Sequence, residues 1–341
     1  MIKIFQLFLP GIKSFKSIKK EIDNTSISRE RFIDFLKVLG LLMIIVNTNF
    51  LIRFGDSYGE YLIFNLSFSD PLKATYSWFT VGMALFFFSV GFTNKIAWYA
   101  NVGRDGSQWK FLTDRVNALL GPAIVWIFVI TLSLNIYSRF ANIPLFFTSQ
   151  DDGIVPLTEF IMWPLWLVSI YLVVVIFCPV TLFLHKTNPY LTLFGLIFAT
   201  VAVDTFEFSI AFSYLKLINY LLFWLAIHQL GYFFADGQIF SIKLSFFTTI
   251  FIICFGYLFY KNNTSEEFMS LSSYRLIMSS NEDPPTIYYL IASLGLSSGL
   301  LILRKPIEKF LENKIIWSVF SFIHANIFTL FLWHIFILFY L

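Results

Sequence analysis

The chain has 341 residues and a formal net charge of +3, and 57% of its residues are hydrophobic whereas only 13% are charged. Soluble globular domains carry about 25% charged residues, so this composition, with a mean hydropathy of +0.74, excludes a soluble domain and indicates an integral membrane protein. The 44 phenylalanines and 9 tryptophans suit lipid contact and interfacial anchoring. No basic stripe accompanies them, which excludes a nucleic-acid-binding surface.

Residues 1–28 lack the uninterrupted apolar core and the cleavage site of a secretory signal. Apolar side chains between Phe5 and Phe15 recur at helical spacing, and lysines between Lys3 and Lys20 are interleaved with them. This pattern predicts a basic amphipathic segment that lies on an anionic membrane surface. A disordered basic tail is the alternative.

The next stretch, residues 29–53, has an apolar middle long enough to cross a bilayer. Lys37 and Thr48 are eleven residues apart, which places them about 20° apart on one helix face and roughly 16 Å apart along the axis. Thr48 is flanked by Asn47 and Asn49, and a lipid-facing helix gains nothing from three consecutive polar side chains. We therefore expect this face to line the bundle interior or a wet cavity. Hydrogen bonds from the asparagines to a neighbouring helix are the alternative.

Eight further apolar segments approach or exceed the length of about 20 residues that a membrane-spanning helix needs. They fall at 77–100, 117–137, 161–184, 190–208, 217–235, 243–260, 286–303 and 315–340. The predicted fold class is thus all-α, a polytopic bundle of about nine transmembrane helices occupying residues 29–341. No soluble domain and no internal repeat is apparent.

The distribution of charge predicts the orientation of these spans. With a cytoplasmic N-terminus, the cytoplasmic segments hold 18 of the 24 Lys and Arg residues, while the other side holds 6 of them and 12 of the 21 Asp and Glu residues. Such a bias follows the positive-inside rule and predicts a protein of the cell's inner or plasma membrane with Leu341 outside. The longer outer connections, 54–76, 138–160 and 261–285, are either docking sites for a polar substrate or solvated linkers.

Several motifs that would indicate other kinds of chemistry are absent from the sequence. No spacing predicts a zinc site, no Gly-rich phosphate loop precedes a helix, and there is no Ser-centred nucleophile elbow. Cys178 and Cys254 both lie inside apolar runs and are interpreted as small core residues. We therefore predict neither a metal site nor a bound cofactor.

Seven segments together resemble the acyltransferase 3 family of multi-pass membrane acyltransferases, in a branch common in actinobacteria. In chain order they are DFLK at 34–37, ALFFFSVGFTN at 84–94, Arg115 with Pro122, PLWL at 164–167 with Tyr171 and Pro179, NY at 219–220 with WLAIHQLG at 224–231 and DG at 236–237, Asn281 with PPT at 284–286, and TLFLWH at 329–334. That family has about ten helices, so the chain is expected to end about one helix early.

The resemblance implies transfer of an acyl group from cytoplasmic acyl-CoA, as co-substrate, to a hydroxyl of a glycan or lipid-linked acceptor beyond the membrane. The family's chemistry is attributed to an Arg and a His spaced R-x10-H on the first helix, and these positions are Lys37 and Thr48 here. Threonine cannot accept the hydroxyl proton as imidazole does. Lysine keeps the positive charge but loses the forked geometry of arginine.

Other residues are therefore candidates for the missing base. His334 is expected near the outer face, where it could meet Thr48, and His228 near mid-membrane; for each, a hydrogen bond between helices is the alternative. Lys110 and Arg115 at the cytoplasmic mouth, with Trp166, are assigned to the acyl donor, although topology alone also favours basic residues there. Asn47, Asn49 and Asn281 are assigned to the acceptor side.

Two functions follow. The first is a membrane-bound O-acyltransferase with a rearranged site, which has acyl-CoA, an acceptor and membrane lipids as its partners. The second is a catalytically degenerate homologue that acts as a membrane carrier or a partner protein.

Overall fold

The computed structural model describes residues 30–57, 60–65, 78–140, 146–149, 153–156, 162, 164–206, 215, 217–264 and 285–338. Within these ranges the helices are α1 (Arg31–Leu51), α2 (Gly82–Val102), α3 (Gln108–Phe140), α4 (Leu165–Thr187), α5 (Pro189–Thr205), α6 (Asn219–Ala235), α7 (Leu244–Thr264), α8 (Ile287–Ile302), α9 (Arg304–Phe310) and α10 (Lys314–Leu338). The strands are β1 (Ile52–Ser57), β2 (Glu60–Asn65), β3 (Phe146–Ser149) and β4 (Gly153–Pro156). The predicted amphipathic segment 1–28 lies outside the described residues.

The helical bundle confirms the predicted fold class. Each of the nine predicted spans coincides with one helix, α1 to α8 and α10. Five helices in the described part of the chain are long and apolar enough to cross a membrane by length and composition, and a sixth span results if α8 and α9, bent by 60°, count as one. α5, with 17 residues, is a shorter apolar helix.

Three features were not predicted. α3 begins at Gln108, nine residues before the predicted span, because its polar first turns continue the helix beyond the apolar window. The short α9 follows the bend after α8. The four strands form one sheet in the order β1-β2-β3-β4, with β2 and β3 parallel and the two outer pairs antiparallel.

The two ends of the bundle can be named from α1. We call the end where α1 begins the inner end and the opposite end the outer end. At the inner end the ring of Phe32 stacks on Phe234 at the end of α6 (5.9 Å), and Arg304 of α9 bonds Glu30 (3.1 Å). The inner end is the side predicted to be cytoplasmic.

Two glycine crossings bring the central helices together. A Cβ atom on Gly40 would lie 2.4 Å from the carbonyl oxygen of Gly82, and one on Gly91 would lie 2.0 Å from the carbonyl oxygen of His228. Only glycine permits such close backbone approach, which is how small residues increase van der Waals contact between membrane helices. α2 is therefore clamped between α1 and α6.

The periphery of the bundle differs sharply from this centre. In an apolar stretch of 18 residues within α2, 72% of the residues are buried, whereas in the corresponding stretch of α7 only 11% are buried. The exposed residues of α7 and of α3 are largely apolar, such as Ile253 and Phe128. Apolar exposed faces on helices whose backbone groups are internally bonded are what lipid contact requires.

Candidate functional site

Lys37, one of the predicted catalytic residues, points into the bundle. Its Nζ lies 5.8 Å from the centroid of the Phe86 ring on α2, and its side chain is half-buried. The crossing of Gly40 and Gly82, one turn further along α1, holds the two helices at this distance. The side chains of Asn47, Thr48 and Asn49 lie outside the described part of the chain, although their backbone continues the helix.

His334, the candidate base on α10, is buried, and one of its ring nitrogens has no partner among the described residues. Its Nδ1 contacts the carbonyl oxygen of Phe331 in the same helix, so a neutral ring donates its proton there and leaves a lone pair on Nε2. No described group bonds Nε2. An imidazole in this state is prepared to accept a proton.

The packing of α1 and α10 shows how His334 is placed. Three contacts indicate that the two helices run parallel. Arg31 lies over Trp317 (4.9 Å), the rings of Phe35 and Phe320 are paired (5.4 Å), and Asp34 bonds His324 (3.1 Å). The paired residue numbers differ by 285 to 290. The same offset would put residue 334 level with the backbone between residues 44 and 49.

His228, the other candidate base, is fully buried between α2 and α6. The side-chain amide of Asn94 donates to its Nε2 (3.1 Å), and its ring lies against Tyr232 at 4.9 Å. Its Nδ1 has no partner among the described residues. With Nε2 occupied, this histidine has the bond between helices that was the alternative interpretation.

The sequence analysis missed a network of ionisable residues at the inner end. Lys95 of α2 lies 2.5 Å from Asp236 at the end of α6, and His185 of α4 bonds the other oxygen of that carboxylate at 2.8 Å. The amide of Gln229 donates to His185 Nδ1 (2.6 Å). Burial alone would raise the pKa of Asp236, but the hydrogen bonds and charges of Lys95 and His185 outweigh it and hold that pKa below its ordinary value.

A second cluster adjoins this network on α4. The Tyr232 hydroxyl bonds the Cys178 sulfur (3.2 Å) and the Thr181 hydroxyl (3.0 Å). Cys178 is thus a buried core residue with a free thiol, as its apolar surroundings predicted. Lys95 interrupts an apolar run and was the one sequence signal that pointed to the network, but its partner is 141 residues away.

The predicted donor residues Lys110 and Arg115 come together at a cavity of about 410 Å³. The cavity lies between the end of α2 and the beginning of α3. It is lined by Ala97, Asn101, Arg104, Gly106, Lys110, Phe111, Asp114 and Arg115. Asn101, in the last turn of α2, and Arg104, in the turn that follows, were missed because neither belongs to a motif. Three cations against one carboxylate make the lining basic.

Trp166 and Asn281 are not brought to this cavity. Trp166 is in the first turn of α4, at the outer end, and is absent from the cavity lining. Asn281 lies outside the described residues. At the outer end, Asp204 accepts a hydrogen bond from the backbone nitrogen of Ile287 (2.7 Å) and so caps the start of α8.

Among the described residues, no group of three or more His, Cys, Asp or Glu side chains is placed to hold a metal ion. The chemistry available is that of a basic cavity at the inner end and a buried imidazole toward the outer end.

A family model described as an acyltransferase domain matches residues 30–341. The match contains all seven segments from which the resemblance was drawn. No curated protein and no solved structure matches the chain.

Proposed function

The chain belongs to the acyltransferase 3 family, and from this membership we propose that it transfers an acyl group from acyl-CoA, bound at the inner end, to a hydroxyl of a glycan or lipid at the outer face. The positive-inside bias supports a cytoplasmic inner end, in the cell's inner or plasma membrane. Acyl-CoA is made in the cytoplasm, so the donor enters where the N-terminus lies.

The observation that carries the proposal is the basic cavity at the inner end. Acyl-CoA is a polyanion, and Arg104, Lys110 and Arg115 are close enough together to line one cavity. Arginine side chains bind phosphate groups with paired, charge-assisted hydrogen bonds, and lysine adds a point charge. The nucleotide part of the donor occupies this cavity, and its acyl arm extends into the bundle.

His334 supplies the base in this proposal. The acceptor hydroxyl attacks the thioester carbonyl while its proton moves to His334 Nε2. The C–S bond then breaks, the acyl group stays on the acceptor oxygen, and the CoA thiolate takes up the proton. Because His334 Nδ1 is committed to Phe331, the proton-accepting nitrogen is Nε2, which no described group bonds. His228 is less suited, because Asn94 donates to its Nε2, so the neutral ring carries its proton on Nδ1 and has no free lone pair.

Lys37 and Thr48 take supporting roles. Lys37 faces α2 inside the bundle, where its charge attracts the carbonyl oxygen or phosphate of the donor. Thr48 lines the path of the acceptor and offers its hydroxyl as a hydrogen-bond donor or acceptor. Asn47 and Asn49 flank it on the acceptor side.

Release of free CoA thiol by the purified full-length protein tests the proposal, with acetyl-CoA and longer acyl-CoA donors and a mixed glycan or lipid acceptor. We expect turnover by the wild type and a 10²- to 10⁴-fold loss in His334→Gln, the usual range for removal of a general base. His324→Gln is the matched control, because that histidine lies on the same helix but is bonded to Asp34. Equal losses in both variants would contradict the role of His334.

The second candidate function is a degenerate homologue that carries lipid or substrate or serves as a partner protein. The observation that favours it is Thr48 at the position of the family's His. The variant Thr48→His separates the two candidates. An inactive wild type whose activity appears in Thr48→His identifies a degenerate enzyme, whereas an active wild type that Thr48→His leaves unimproved identifies a rearranged site.

A further inference from the structure

The turn 103–107, which joins α2 to α3, forms one wall of the basic cavity. Arg104 and Gly106 of this turn line the cavity, and so does Lys110 in the first turn of α3. Arg104 and Lys110 are both exposed, so packing against the bundle contributes little to their placement. The contacts that hold the turn therefore decide where two of the three cations of the cavity lie.

Asn101, in the last turn of α2, is bonded to this turn through both its backbone and its side chain. Its carbonyl oxygen accepts from the backbone nitrogens of Arg104 (3.1 Å) and Gly106 (2.9 Å). Its side-chain Nδ2 donates to the carbonyl oxygen of Ser107 (2.9 Å). Asn101 also lines the cavity, yet it is only 7% exposed. The bond to Ser107 is the one of these three that a substitution of Asn101 can remove.

Ser107 connects this bond to the beginning of α3. Its hydroxyl accepts from the backbone nitrogen of Lys110 (3.1 Å), and its carbonyl oxygen accepts from the backbone nitrogen of Phe111 (3.2 Å). A serine that bonds the free backbone nitrogens of the first turn fixes the start of a helix. The Asn101 side chain is thus linked through Ser107 to the helical turn that carries Lys110.

The space between Asn101 and Gly106 admits no larger residue than glycine. A Cβ atom on Gly106 would lie 2.0 Å from Asn101 Oδ1 and 2.9 Å from Asn101 Nδ2. The preceding residue, Asp105, has a φ of 53°, in the left-handed region that residues other than glycine seldom adopt. A turn that contains such a residue depends on surrounding contacts to compensate the strain, and Asn101 supplies contacts of this kind.

We propose that Asn101 is a positioning residue for the donor, because its side chain fixes the turn 103–107. The turn then keeps Arg104 and Lys110 beside Arg115, where the three cations receive the phosphate groups of acyl-CoA. This inference rests on the proposed function, since it takes acyl-CoA as the occupant of the cavity. A turn that is fixed in advance does not have to be ordered by the ligand, so the entropy cost of ordering it does not weaken binding.

The test measures binding of CoA, which needs no acceptor, to the full-length protein by calorimetry. In Asn101→Ala, we expect the Kd for CoA to rise roughly five- to tenfold, as the loss of one hydrogen bond predicts. Gly106→Ala should have a similar effect, because its Cβ atom displaces the Asn101 side chain.

Gly103→Ala is the matched control in the same turn. Gly103 has a φ of −65°, which suits alanine, and a Cβ atom there would lie 3.3 Å from its nearest neighbour, the carbonyl oxygen of Tyr99. The Kd for CoA should stay within twofold of the wild type. Equal losses of affinity in Gly103→Ala and Gly106→Ala would contradict the role of Asn101.

Two further measurements exclude a merely structural effect. In the Asn101→Ala background, Gly106→Ala should cause little additional loss of affinity, because the side chain that it displaces is gone. With acyl-CoA as the donor, Asn101→Ala should raise KM and leave kcat within twofold. With acyl-pantetheine, which lacks the nucleotide phosphates, Asn101→Ala should change neither constant.

The outcomes separate the inference from the function on which it rests. CoA binding that weakens in Asn101→Ala, by a protein that transfers no acyl group, supports the inference and contradicts the proposed activity. Acyl transfer with equal Kd values for CoA in wild type and Asn101→Ala contradicts the inference alone. No binding of CoA by the wild type overturns the inference, and so does an equal effect of Asn101→Ala on both donors.

Discussion

The ion-pair network at the inner end and His334 in the outer half of α10 differ in how their ionisable groups are bonded. At the inner end, Lys95, His185 and Asp236 bond one another. In α10, His334 is as deeply buried, yet its Nε2 bonds no described group. A buried polar atom left without a partner costs about 1–3 kcal/mol, so such an atom in a folded protein needs a reason. Gln229 Oε1 and His228 Nδ1 also lack a partner among the described residues, so the contrast is limited to the ion-paired groups: we infer that these stabilise the fold and that His334 is retained for chemistry.

The largest expected effect comes from His334 itself. Substitution by Gln keeps the size and the polarity of the side chain but removes the basic nitrogen. Activity should fall by 10² to 10⁴-fold, while the midpoint of thermal unfolding in detergent stays within about 2 °C of the wild type. A clearly lower unfolding midpoint in His334→Gln would show that His334 stabilises the fold, as the inner network does, and would contradict the inferred difference between the two.

The glycine crossing next to the inner network predicts the largest loss of stability. In Gly91→Ala, the new Cβ would lie 2.0 Å from the carbonyl oxygen of His228, so α2 and α6 must separate and both clusters between them are disturbed. We expect a loss of about 3 kcal/mol or more in the free energy of unfolding, measured in detergent with increasing denaturant.

Gly195→Ala provides the control for that variant. Nothing lies within 4 Å of the added Cβ on this α5 residue, and alanine is the better helix former by about 1 kcal/mol. Unchanged or slightly increased stability is expected. A comparable loss at both glycines would mean that the crossing has no special role.

Breaking the ion pair should have a smaller effect on stability. Lys95→Met leaves Asp236 without its main partner. Loss of one member of a fully buried pair costs 3–5 kcal/mol, but the Asp236 side chain is 33% exposed, and solvent screening reduces the expected loss to about 2 kcal/mol. Lys186→Met, at an exposed lysine of α4, should cost less than about 0.5 kcal/mol.

The activity of Lys95→Met per folded molecule tests whether the inner network does more than stabilise the fold. It should remain within about threefold of the wild type, because the network does not contact the reacting groups. Loss of activity that exceeds the loss of folded protein would show that the inner network takes part in the reaction.

The smallest effect expected is a dependence of stability on pH. The pKa of Asp236 is lower in the folded protein than in the unfolded chain, because Lys95 and His185 favour its charged form more than burial opposes it. Its contribution to stability is therefore complete above the unfolded pKa of about 3.9 and is lost as the pH falls through the lower folded value. The stability difference between wild type and Asp236→Asn should be constant above about pH 5 and shrink below about pH 4.

Parts of the site could be predicted because the signal is local. Lys110 and Arg115 are near neighbours on one helix, and topology puts them at the same membrane face. The proximity of His334 to Thr48, expected from counting residues from the membrane surface, stays a prediction, since the contacts between α1 and α10 involve residues 31–35 of α1. Asn101 and Arg104 were not predicted, since the end of a helix and the turn after it have no pattern that marks a cavity.

The inner network could not be predicted for a different reason. Lys95 and Asp236 are separated by 141 residues, and neither residue shows in the sequence which of the other charges it will meet. Their contact depends on how closely α2 approaches α6, which Gly91 and Gly231 set through backbone contacts. The segment DG at 236–237 was recognised only as part of a motif.

The sequence by itself determined the class of the protein, the approximate positions of its nine longer helices, and its family. Those properties follow from a local requirement, since each span must satisfy its own backbone hydrogen bonds and present apolar side chains to lipid. Only the tertiary structure decided which polar groups find partners and which do not. Pairing depends on distances of a few ångströms between helices that are far apart in the chain, and close packing at the glycine crossings sets those distances.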